Sequence, residues 1–179
     1  RVELEHHHWN WFANVDGKRF AEYMAGRPGR LRSTLERRRR RASARYNIRF
    51  ELISDADRIE PAIAHYQRVY ERSWKPSEKC TGFVPALMRQ CAALGALRLG
   101  LLYLDEMPAA AQFWIVSGTQ ACIYKLAHDP QFDDLSAGTL LSGYMFEQVL
   151  ERDRPREIDF GVGDEPYKRD WMDRRRQLL

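Results

Sequence analysis

Cysteine, lysine and long apolar runs are all scarce in this 179-residue chain. The three cysteines, Cys80, Cys91 and Cys122, are far apart, odd in number and form no CxxC pair. That spacing argues against a disulfide framework and a thiolate metal site, so no metal is expected and a reduced, cytoplasmic setting is. No stretch approaches the roughly 20 apolar residues that a membrane-spanning helix needs. The opening RVELEHHHWNWF lacks the basic-then-apolar order of a secretory signal. No internal repeat or low-complexity linker divides the chain, and its length suits one domain with a small appendage. Five lysines stand against 24 arginines, an imbalance that keeps arginine by itself from reading as a phosphate code.

What is present supports a packed core, since apolar residues make up 44% and aromatics 12% of the chain. The net charge of +4 is unevenly spread. Nine arginines fall between Pro28 and Arg49 (positions 30, 32, 37 to 41, 45 and 49), against the single acid Glu36. Leu31, Leu35 and Ala42 give this segment one thin apolar stripe at helical spacing. It reads either as a solvated helix lying on the domain or as a surface for an anionic partner. Five consecutive arginines, Arg37 to Arg41, point all round a helix and cannot share one buried face.

Periodicity divides the rest. Leu4 to Val15 reads as extended, Asp16-Gly17 as a turn, and Lys18 to Ala25 as a short helix closed by Gly26. The arginine-rich helix spans about 28 to 45. From Asn47, Ile48, Phe50 and Leu52 alternate with charged residues as in a half-buried strand. Asp55 or Asp57 could cap a helix running to about Trp74, and another helix is expected over about 83–94. Strands at Leu97–Leu104, Ala109–Val116 and Gln120–Ala127 have short connections and predict an antiparallel meander. A helix over 138–152, a strand over 156–160 and a short helix follow. We divide the chain into residues 1–45, an extended and arginine-rich segment, and residues 46–179, a mixed α/β (α+β) domain.

The stretch DFGVGDEPYKRDW, Asp159 to Trp171, crowds ionisable groups where a strand should simply end. Its Asp-Phe-Gly spells a kinase metal motif, but no glycine-rich phosphate loop, paired lysine or HRD-type segment accompanies it. Taken with YKLAHDPQFDDLSAGTLL about 20 residues earlier, it resembles the GNAT acyltransferases. More narrowly, it resembles the CelD-like branch associated with polysaccharide modification and related to FemAB transferases. NWF and RPGRLRSTLERRRRR resemble the segment that precedes the domain in that branch.

The resemblance implies a mixed sheet with an antiparallel meander flanked by helices, and the chain is expected to stop before the last two strands of that fold. It also implies an acyl-CoA donor, acetyl-CoA or another, and an amine acceptor such as an amino sugar or polysaccharide precursor. Pyrophosphate would sit at the start of the 138–152 helix, on Ser136, Ala137, Gly138, Thr139 and Leu140. Ser136 also reads as a plain helix cap. Backbone N–H groups near Tyr124 to Ala127 would polarise the thioester. Tyr167 is placed as proton donor to the leaving sulfur, with an unperturbed pKa of about 10. Asp129 or Asp164 would deprotonate or orient the amine, with a water relay as the equal alternative. Asp159, Lys168 and Trp171 are expected to shape the acceptor side. Two other readings follow from the same kinship. One is aminoacyl transfer from charged tRNA, with the arginine-rich helix on RNA. The other is a non-catalytic half that partners a second GNAT-like half.

Overall fold

The computed structural model describes residues 8–178; the expectations for Leu4 to His7 lie outside that range. Seven strands form one sheet in the order β2-β3-β4-β5-β6-β1-β7. They are β1 His8–Asn14, β2 Ile48–Ile53, β3 Leu97–Leu104, β4 Met107–Ser117, β5 Gln120–His128, β6 Glu157–Val162 and β7 Arg174–Leu178. The helices are α1 Phe20–Ala25, α2 Gly29–Ser43, α3 Ile59–Arg72, α4 Phe83–Ala93, α5 Ala137–Arg152 and α6 Lys168–Trp171, with a 3₁₀ segment over Pro130–Leu135. This is the expected α/β fold, with β2, β3, β4 and β5 pairing antiparallel as a meander. Among the described residues no helix is long and apolar enough to cross a membrane.

Strand alternation builds a core on each face of the sheet. Leu97, Leu99, Leu101 and Tyr103 of β3 pack with Phe113 of β4 against Ile63, Tyr66, Val69 and Met88 of α3 and α4. Leu102, Leu104 and Trp114 point the other way, onto Leu141, Met145 and Phe146 of α5 and onto Leu31 and Ala42 of α2. Gly100 sits beneath α5 so closely that a Cβ there would collide with the Met145 sulfur. The helix can approach the sheet because that side chain is missing.

The arginines of α2 follow its stripe. Leu31 and Ala42 are buried, Arg37, Arg39, Arg40 and Arg41 are exposed, and Arg38 is half-buried. Residues from the 1–45 segment share the sheet and the core with those that follow. β1 lies between β6 and β7, antiparallel to both.

Of the two final strands expected to be missing, one is present, a partial correction: Arg174–Leu178 forms β7, and β1 occupies the place beside β6. The sequence RRRQL has no apolar alternation to announce a strand. Tertiary contacts hold it instead. Arg175 lies 4.0 Å from the Trp9 ring centre and Arg176 4.5 Å from that of Phe12. Arg176 also pairs with Asp159 (2.7 Å) and Glu157 (3.1 Å) on β6.

Candidate acyl-transfer site

The site begins where parallel pairing stops. β5 and β6 align only over Gln120–Cys122 and Glu157–Asp159, after which β5 runs on to His128 while β6 stays with β1. Beyond Cys122, alternate N–H and C=O groups on that edge of β5 face a wedge rather than a strand. Against β4, Phe113 faces Lys125 and Trp114 faces Ile123, so Tyr124 is the extra residue of a bulge that bends β5 beside the wedge. Tyr124 to Ala127 lie along this edge.

Two cavities fill the wedge. The larger, about 290 Å³, is bounded by Trp74, Gln112, His128, Ser136, Thr139 and Trp171 among others. The smaller, about 140 Å³, is bounded by Lys75, Tyr124, Phe160, Glu165 and Lys168 among others. Tyr167 and Leu126 line both.

The start of α5 faces the larger cavity. Ser136 holds a left-handed conformation (φ 55°, ψ 50°), and its side chain makes no capping hydrogen bond. The first helical bond runs from Leu140 N–H to the Ser136 carbonyl (3.0 Å), so the N–H groups of Ala137, Gly138 and Thr139 precede the intrahelical ladder. With the helix dipole behind them, they suit a phosphate group. Ser136, Gly138 and Thr139 line the cavity. Ala137 and Leu140 are buried and are not part of its lining.

Two acids precede this anion-friendly turn, and both are occupied. Asp134 is held by Arg41 (3.2 Å) and Arg45, and the Arg45 hydrogen bond keeps its carboxyl below the usual range. Arg38 donates to the Asp134 carbonyl. Asp133 bonds His128 Nε2 (2.8 Å).

Gly138 has a packing role besides. A Cβ there would stand 3.0 Å from His128 Nδ1, so the glycine makes room for the imidazole against the helix start. Beneath it lies a buried polar chain. Gln112 Nε2 donates to Ser142 Oγ (2.7 Å) and the Gly138 carbonyl (3.3 Å), while Gln112 Oε1 accepts from Trp114 Nε1 (2.9 Å). Ser142 Oγ in turn donates to the Gly138 carbonyl (3.0 Å). This chain fastens the first turn of α5 to β4.

The residues singled out from the sequence divide into two groups. Tyr167 stands between the cavities, edge-on to Phe160. Burial first, and then Glu165, push its phenol up to about 12, so it keeps its proton at neutral pH. Trp171 lines the larger cavity, stacked on Phe146 at 4.5 Å. Lys168 lines the smaller one, but its buried ammonium is spent on the Val162 carbonyl (2.7 Å) and Glu165 (3.0 Å).

The three aspartates are turned elsewhere. Asp164 accepts from Trp11 Nε1 (2.8 Å) and pairs with Arg169 (3.3 Å) and Arg175 (3.6 Å), clamping the 163–169 loop to β1 and β7. Asp129 caps the 3₁₀ segment through the Gln131 N–H (3.0 Å) and meets Arg72 at 3.5 Å. Asp159 accepts from Asn10 Nδ2 (2.7 Å), the Gly161 N–H (2.6 Å) and Arg176 (2.7 Å), binding β6 to its neighbours. None of the three borders either wedge cavity.

Sequence reasoning passed over Gln112, His128, Asp133, Trp74 and Lys75. Gln112 did carry a signal, as the lone polar residue in the apolar run AAAQFW. The others sit in loops or at a strand end, where spacing says nothing about direction.

Comparisons with known proteins agree with this architecture. Residues 29–169 match the family model described as an acetyltransferase (GNAT) domain. Comparison with curated protein sequences finds no match. Among solved structures, FemX is similar at 12% identity with a TM-score of 0.67, over 91% of this chain and 58% of its own. A second is the DUF2156 C-terminal domain assigned to a lysylphosphatidylglycerol synthetase of Agrobacterium fabrum. It is 14% identical with a TM-score of 0.60, over 87% of this chain and 46% of its own. An aminoglycoside acetyltransferase from an uncultured soil metagenomic sample, solved with sisomicin, is 17% identical at a TM-score of 0.50, over 69% and 84%. The chain thus spans 58% and 46% of the first two relatives. At these identities the likenesses speak for the fold, whereas the family model spans most of the sequence. The chain belongs to the GNAT acetyltransferase domain family.

Proposed function

We propose that this chain moves an acyl group from acyl-CoA to an amine, with an amino sugar or polysaccharide precursor as the acceptor class. The observation that carries the reading is Tyr167, a protonated phenol standing between a cavity that faces the start of α5 and a second one at the unpartnered edge of β5. The residues present fit the co-substrate. The uncapped α5 turn offers N–H groups for its pyrophosphate, and Arg38, Arg41 and Arg45 occupy the neighbouring Asp134. When bound, acyl-CoA supplies an acyl group activated as a thioester.

The residues of the wedge then have separate tasks. N–H groups on the free edge of β5 would receive the acyl oxygen. Tyr167 holds the proton that the departing sulfur takes up, while the attacking nitrogen gives one proton away. The new C–N bond replaces the C–S bond, and the proton lost by nitrogen balances the one that Tyr167 gives to sulfur and regains through water. With Asp129 and Asp164 committed to other partners, water rather than either carboxylate carries the amine's proton.

Thermal unfolding with acetyl-CoA and longer acyl-CoA tests the reading. Ligand that binds only the folded chain should raise the midpoint progressively with concentration. No rise with any acyl-CoA at millimolar concentration would refute it. The exposed Arg37, Arg39 and Arg40 of α2 favour a second reading, in which the acyl donor is a charged tRNA. Salt-sensitive tRNA binding without acyl-CoA binding would select that one. A second GNAT-like half as partner belongs to the same proposal.

A further inference from the structure

Three of the chain's five lysines, Lys75, Lys125 and Lys168, gather on the side of the wedge away from α5. There a further cavity of about 250 Å³ lies between α3 and the connection to α4, lined by Tyr66, Tyr70, Glu71, Lys75 and Glu78 among others. Lys75 also lines the smaller wedge cavity, so the two spaces adjoin at its side chain.

The charges around it are unevenly satisfied. Lys125 pairs with Glu78 (2.7 Å) and Lys168 with Glu165 (3.0 Å). Lys75 has no carboxylate within ion-pair distance among the described residues, and Glu71 is exposed to solvent at the rim. Burial, and after it the Lys125 charge, pull the Lys75 ammonium below its ordinary pKa. Tyr66 is 3% exposed, and its hydroxyl has no hydrogen-bond partner among the described residues. Burial raises its pKa far above 10, so it remains a donor. An unpaired cation and an unpaired buried donor are costly unless something completes them.

We propose that this cavity receives the acceptor and selects an amine that also bears an anionic oxygen group, carboxylate or phosphate, bound by the Lys75 ammonium and the Tyr66 hydroxyl. This deepens the acyltransferase reading and rests on it for the amine. Lys75 and Tyr66 are then specificity-determining residues for the acceptor.

The test uses the full chain with three probes, β-alanine, 2-aminoethyl phosphate and ethanolamine, followed by calorimetric titration with and without acetyl-CoA. Saturable binding of one or both anionic amines is expected, at least about tenfold tighter than ethanolamine; which of the two binds tells carboxylate from phosphate. Lys75→Met should remove the preference, with a loss of about 10- to 100-fold, as for other hydrogen bonds to charged groups. Tyr66→Phe deletes an unpaired hydroxyl, so it should fold as well as the parent and still weaken the anionic probe. Equal binding of all three probes, no binding of either anionic amine, or full affinity in both variants would overturn the inference. Acetyl-CoA titrated alone reports separately on the donor site, so a failure there sinks the acyltransferase reading and not the acceptor preference.

Discussion

Replacing Gln112 with alanine should loosen the start of α5 from the sheet, and the size of the effect follows from its contacts. Gln112 is 1% exposed and joins Trp114 Nε1, Ser142 Oγ and the Gly138 carbonyl. Alanine leaves Ser142 bonded to Gly138 but strips the indole N–H of its acceptor. An orphaned buried donor costs about 1–3 kcal/mol, and the vacated space adds roughly another 1 kcal/mol. The expected loss is therefore about 2–4 kcal/mol, a lowering of the midpoint by about 4–16 °C for a domain of this size. Urea unfolding should show the loss as a shifted midpoint with an unchanged slope. Acyl-CoA should also stabilise the variant less than the parent, since the turn proposed to receive it has lost its anchor. A coupling test isolates the indole: Trp114→Phe should cost less in a Gln112→Leu background than in the parent, because the orphaned N–H disappears with the ring. A loss under about 0.5 kcal/mol, the range of ordinary surface substitutions, would refute the reasoning.

Tyr167→Phe should preserve folding and acyl-CoA binding while slowing turnover by about 10²–10⁴-fold, as for other lost general acids, measured by thiol release; full activity would make the tyrosine structural. Stability should fall at alkaline pH. Burial raises Cys122 to about 11 and Tyr103 to about 12, and Tyr167 also reaches about 12. Groups raised in this way favour the folded chain below their unfolded values, about 8.5 for cysteine and 10 for tyrosine, and that contribution disappears as pH climbs through the folded ones. Urea midpoints should thus decline between about pH 8.5 and 12, and a flat profile would contradict the assignment. Gly100→Ala should destabilise by about 1–3 kcal/mol, because its Cβ meets the Met145 sulfur across the sheet–α5 contact. Urea unfolding checks it, and Met145→Ala should relieve part of the cost in the double variant.

Periodicity alone determined much of this molecule. The alternation in Ile48–Ile53, the three meander strands and the apolar spacing of α3 and α5 place those elements within a few residues of their observed ends. Local burial patterns report these elements because each buries a face of its own sequence. β7 was not legible for the converse reason: Arg174 to Arg176 bury no apolar face of their own, and their strand depends on Trp9, Phe12, Glu157 and Asp159 from distant segments.

The candidate site divides along the same line. Ser136 to Thr139 could be found as a strand–loop–helix transition, and Tyr167 as a polar residue just past a strand. The direction of a carboxylate could not. Asp129 and Asp164 read as reactive groups and Asp159 as part of the acceptor side, yet each is drawn off by a partner that only folding brings near: Arg72, Trp11 and Asn10 respectively. Lys75 and Tyr66 looked unremarkable in the sequence. Their importance comes from what the tertiary structure withholds from them, a carboxylate for the one and an acceptor for the other, because pairing is decided by distances between segments and these are set when the sheet assembles.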